Sequence, residues 1–133
     1  MLIHIDGLQD ADGVVFPLVP TGTHKFRISS VVTRETKSSA KYPGSPLLEI
    51  KALICAGEEH AGMNVMFFLM APTAEMPDDL QKACVNRIKK LCIACDLDAN
   101  DDLDTDDLMG KELLLIVTEK DGKNNVTDQL PID

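Results

Sequence analysis

A chain of 133 residues, 44% of them apolar, is long enough to bury one core without disulfide or metal staples, so a single domain spanning residues 1–133 is expected. Thirteen bases against 22 acids give a net charge of −9, which argues against a polyanionic partner for the chain taken as a whole. The longest apolar runs, VMFFLMA at 65–71 and LLLIV at 113–117, fall far short of the ~20 residues that span a bilayer, and MLIHIDGLQDAD has neither a basic start nor an apolar signal core, so a soluble, cytoplasmic chain with no membrane partner is expected.

Residues 1–21 read as an N-terminal extension. From Thr23 the text THKFRISSVV alternates, Phe26 and Ile28 to one side and Lys25 and Arg27 to the other, as a half-buried strand does. The loop RETKSSAKYPGSP comes next, rich in Ser, Pro and Gly. LLEIKALIC is a second strand, with Leu48, Ile50, Ala52 and Ile54 opposite Glu49 and Lys51. AGEEHAG turns into a third, NVMFFLMAP, ended by Pro72. The period then changes. In MPDDLQKACVNRIKKLCIAC the residues Leu80, Cys84, Ile88, Leu91 and Cys95 form one helical stripe, with Asp78 and Asp79 in the first turn and Lys89 and Lys90 near the last. After an acidic connector at 96–110 come a fourth strand, KELLLIVTE, the turn KDGKNN and a short final strand around Val126. The order β-β-β-α-β-β predicts a mainly β protein, a five-stranded OB-fold barrel with its helix between strands 3 and 4; an α+β sheet is the alternative.

The connector DLDANDDLDTDD places Asp96, Asp98, Asn100, Asp102, Asp104 and Asp107 at the ligand positions of an EF-hand loop. Asp101 stands where the turn glycine belongs, and MGKELLLIVTEK reads as a strand where an exit helix is needed. The expectation is a solvated connector without a calcium site. Cys55, Cys84, Cys92 and Cys95 are expected to be reduced. CIAC lies at a helix end rather than a helix start, and Cys84 and Cys95 share the apolar stripe, so core thiols are expected and not a zinc or redox centre. His4, His24 and His60 stand apart from any nucleophile motif, so no enzyme and no cofactor is expected.

Charge is segregated along the chain. Between Thr23 and Lys51, Lys25, Arg27, Arg34, Lys37, Lys41 and Lys51 stand against Glu35 and Glu49, a local balance of +4. The loop carrying Arg34, Lys37 and Lys41 also holds Tyr42, the single tyrosine, so cations for phosphates and a ring for stacking arrive together. A Lys-rich loop also serves solubility alone. In NVMFFLMAP both alternating sets are apolar, so if Val65, Phe67 and Leu69 fill the core then Met66 and Phe68 look outward and want a cover. Lys120 and Lys123 flank the last turn. On an OB barrel these groups would gather on the face where oligonucleotides lie.

With these elements placed, the chain resembles a group of small phage and prophage proteins of replication and recombination gene clusters, OB-fold single-stranded-DNA-binding proteins. The resemblance covers most of the chain and rests on PTGTHKFRISSV, LLEIKALICAG with Gly62 after it, the helix, DDLMGKELLLIVTEK, and the late asparagine before a proline in NNVTDQLP. It implies sequence-tolerant coating of single-stranded DNA during phage DNA replication or recombination in a bacterial host, with proteins of those processes as further partners; a homo-oligomer is left open. The departure is an aromatic content of 4%, which leaves few rings for stacking. The ending QLPID is loosely similar to the acidic tips by which bacterial single-strand binders recruit partners. The alternative function is a protein-interaction or structural module on the same barrel.

Overall fold

Alternation becomes sheet. In the computed structural model, which describes residues 1–11, 13, 18–37, 41–98 and 100–132, five strands form one antiparallel sheet in the order β3-β2-β1-β4-β5. They are β1 (Gly22–Glu35), β2 (Pro46–Ile54), β3 (Asn64–Met70), β4 (Glu112–Lys120) and β5 (Lys123–Leu130). The first half of β1 pairs with β4, from Gly22↔Val117 to Arg27↔Glu112, and its length from Phe26 onward pairs with β2. A bulge between Ile28 and Ser30 shifts the register there. Inward positions therefore change from Phe26 and Ile28 to the half-buried Val31.

The core takes Phe26, Ile50, Leu91, Leu108, Leu113 and Leu115, all fully buried, each stabilising the fold by about 1.5–3 kcal/mol relative to exposure. In β3 Val65, Phe67 and Leu69 are buried, as expected, while Met66 and Phe68 face out. Helix α1 (Asp78–Ala94) lies between β3 and β4 and packs against both β3 and β5. Its first turn holds Asp78 and Asp79; Lys89 and Lys90 sit too early for the last turn, which has no base. The expected stripe is buried at Cys84, Leu91 and Cys95, and Cys92 joins it. No helix of the described residues is long and apolar enough to cross a membrane.

Two expectations need correcting. The sheet is five-stranded with the helix in the predicted place, but it does not close into a barrel: β3 and β5 come within 8 Å of one another and no ladder joins them. With only seven residues in β3 and a bulge at Thr127 in β5, the two edges present no continuous matching register. The last strand is not short, because the turn shrinks to Asp121 and Gly122, both left-handed (φ 53° and 74°), which is the two-residue hairpin geometry, and pairing resumes at Lys123. Ahead of β1, Val19 is fully buried, and Asn124 accepts from its N–H and donates to its C=O, both at 2.9 Å.

The acidic connector is a chain of local caps. Asp96, the first calcium-like position, is the left-handed residue (φ 55°) that ends α1, with Asp96 N–H on Ile93 O at 3.0 Å and Leu97 N–H on Cys92 O at 2.9 Å. Asn100 Oδ1 accepts from Asp102 N–H, and Asp104 Oδ1 accepts from Asp106 N–H to cap a 3-10 helix, Thr105–Leu108. Leu97, Leu103 and Leu108 pin the segment to the core. The chain then enters β4, a strand where an EF-hand would need its exit helix. Among the described residues no three His, Cys, Asp or Glu side chains converge as a metal site.

Candidate nucleic-acid interface

Cross-strand register builds the outer face of β1, β2 and β3 row by row. Arg34, Leu47 and Met70 form the row next to the β1–β2 loop; Val32, Glu49 and Phe68 the next; then Ser30, Lys51 and Met66; then Arg27, Leu53 and Asn64. Rows two residues apart are roughly 7 Å from one another and strands about 5 Å, so the patch measures roughly 20 by 10 Å, the reach of a few nucleotides. Phe68 is 49% exposed and Met66 44%, with Val32 and Leu53 also open to solvent.

The cations divide into paired and free. Arg34 Nε lies 2.6 Å from Glu49 Oε2, and Lys25 Nζ lies 3.3 Å from Glu112 Oε2. Arg27, Lys37, Lys41 and Lys51 have no ion pair among the described residues and are exposed. The base of the β1–β2 loop is knotted rather than loose. Thr36 Oγ1 and Ser45 Oγ both donate to Tyr42 O, at 2.7 and 2.8 Å, and Thr36 N–H reaches Ser45 O at 3.0 Å. Residues 38–40 of that loop lie outside the described residues. Lys41 Nζ stands 5.7 Å from the centre of the half-buried Tyr42 ring, which holds ring and cation together at the edge of the face.

Of the residues singled out in the sequence, Arg27, Arg34, Lys51 and Phe68 therefore share one sheet face, Lys25 borders it on β1, and Lys37, Lys41 and Tyr42 stand on the adjoining loop. Lys120 and Lys123 face one another as the last pair of the β4–β5 hairpin, beyond the opposite end of β1 from that loop. Asp133 of the QLPID ending lies outside the described residues. Glu49, by alternation an ordinary outward acid, is only 7% exposed. Alternation shows its side of the strand, but only the register that sets Val32 and Phe68 beside it accounts for its burial.

Cys84 and Cys92 lie on α1 and Cys95 at its C-cap, apart from this face, whereas Cys55 follows β2 beside Arg27 and Leu53. Burial pushes Cys95 up to about 11 and raises Cys92 as well, so both stay protonated and apolar in character. Neither protein-family models nor curated proteins match this chain. The reading of the site accordingly rests on its own geometry.

Proposed function

We propose that this chain binds single-stranded DNA, with little regard to sequence, on the outer face of β1, β2 and β3, as a non-enzymatic protein of the phage OB-fold single-strand-binding kind. The fold is taken as an OB barrel left open along β3 and β5. Its strand order, the bulged β1 paired on both sides and the helix between β3 and β4 all support that reading. The observation that carries the function is Phe68, half exposed beside Met66 with Lys51 on the next strand and Tyr42 and Lys41 on the loop: rings for bases, cations for phosphates. A chain of net charge −9 keeps its surplus of bases on this segment.

One feature favours a second reading, a docking site for a protein. A groove of about 700 Å³ opens between Val85 and Ile88 of α1, Pro72 after β3 and Leu103 of the connector, and Leu2, Ile3, Ile5 and Leu8 are left exposed near the N-terminus. Amide chemical shifts followed during addition of oligo-dT at low salt tell the two apart. Shifts gathered in β1, β2 and β3 and the β1–β2 loop are expected; no shifts, or shifts gathered along α1, would defeat the nucleic-acid reading.

A further inference from the structure

The centre of the outer face holds a carboxylate kept from water. Glu49 is directly opposite Phe68 on β3 and Val32 on β1, and its Oε2 is enclosed with no aligned hydrogen bond among the described residues. Arg34 Nε approaches this oxygen as a charge contact without hydrogen-bond alignment. Apart from that one poorly aligned guanidinium, the oxygen has no donor among the described residues, although shielded acceptors ordinarily find one. Its partner is not locked in place, since the Arg34 side chain is 63% exposed.

We infer that Glu49 is a base-reading residue, which accepts hydrogen bonds from the edge of a base stacked on Phe68. The inference rests on the single-strand reading above and deepens it. Neighbours across a β-ladder have Cβ atoms about 5 Å apart, so a base lying on the Phe68 ring extends its edge over Glu49. Binding is then an exchange. The Arg34 guanidinium moves to a backbone phosphate, and donors of the base replace it at the carboxylate, so neither charge is left alone.

The bases differ in what they offer. Guanine presents N1–H and the N2 amino group side by side, a match for the two carboxylate oxygens. Adenine and cytosine present one exocyclic amino group. Thymine presents N3–H flanked by two carbonyl oxygens, which oppose a carboxylate. Tolerance of sequence on this face is therefore incomplete: guanine is favoured and thymine disfavoured at the Phe68 position.

The test compares oligo-dT with an oligonucleotide of equal length alternating dT and dG, and with one carrying deoxyinosine for dG, by anisotropy titration. The wild-type protein is expected to bind the dG-containing strand about tenfold more tightly than oligo-dT, within the range of one good bidentate base contact. Inosine, which lacks the amino group, falls between them. Glu49→Gln, which keeps the shape and loses one acceptor, narrows the dG-to-dT ratio. Equal wild-type affinities, or inosine equal to guanine, overturn the base-reading role while single-strand binding stands. A folded Glu49→Gln protein with an unchanged ratio does the same. Should Glu49→Gln fail to fold, the inosine comparison on the wild type still decides. Loss of binding to all three strands by the wild type is a different result, and removes the single-strand reading together with this one.

Discussion

Replacing Phe68 by alanine separates stacking from packing. A phenylalanine fully removed from water buries 150–250 Å². At 49% exposure Phe68 hides roughly 100 Å², or about 2.5 kcal/mol at 25 cal/mol per Å². Alanine keeps part of that, and an open surface leaves no cavity, so Phe68→Ala is expected to lose only about 1–2 kcal/mol of folding stability. Its neighbour Phe67, 8% exposed on the opposite side of the strand, is expected to lose about 3–5 kcal/mol. Binding should behave in the reverse way. A lost base stack weakens affinity by ~1–3 kcal/mol, roughly 5- to 150-fold in Kd, while the salt dependence stays as it was. Denaturant unfolding and anisotropy titration of both variants are the assays. A folded Phe68→Ala protein with wild-type affinity would refute the placement of a base on this ring.

Lys37→Ala combined with Lys41→Ala should leave stability intact and flatten the log–log salt dependence by about 0.7 for each lost phosphate contact; an unchanged slope removes the loop from the interface. Asn124→Ala, which deletes both hydrogen bonds to the Val19 backbone, is expected to cost about 1–3 kcal/mol and to speed hydrogen exchange at the Val19 amide. Slow exchange there in the variant would mean that other contacts hold the segment. Cys95 supplies a pH dependence: its thiol ionises near 9.0 when unfolded and near 11 when buried, so its contribution is complete below pH 9 and lost as pH rises toward 11. The loss is on the order of 2–3 kcal/mol, and denaturation curves of wild type and Cys95→Ala between those pH values should converge; parallel curves would contradict this.

Strands β1 to β4 and the helix could be read from periodicity because each buries one alternating or stripe-like set: Leu48, Ile50, Ala52 and Ile54 in β2, Cys84, Leu91 and Cys95 in α1. The full length of β5 escaped because KNNVTDQL carries its fit in polar side chains. Asn124 binds the Val19 backbone and Asp128 the Lys90 ammonium, whose hydrogen bond holds that carboxyl below its usual range. The Asp121-Gly122 hairpin was hidden for a related reason, since the asparagines after it look like turn residues until their pairing with β4 is seen. On the candidate face, the outward sense of Phe68 followed from both sets of β3 being apolar. The Arg34–Glu49 contact and the knot of Thr36, Tyr42 and Ser45 depend on which strands pair, and no local pattern announces them.

Whether this face takes a single strand is decided by anisotropy titration of a labelled oligo-dT and of a duplex of the same length, each at two salt concentrations. Phosphate contacts on a β-face with no helix shaped for a groove predict binding at ~50 mM salt, tighter for the single strand, and weakening as salt rises. Equal affinity for the duplex, or no binding to either at the lower salt, would contradict the account.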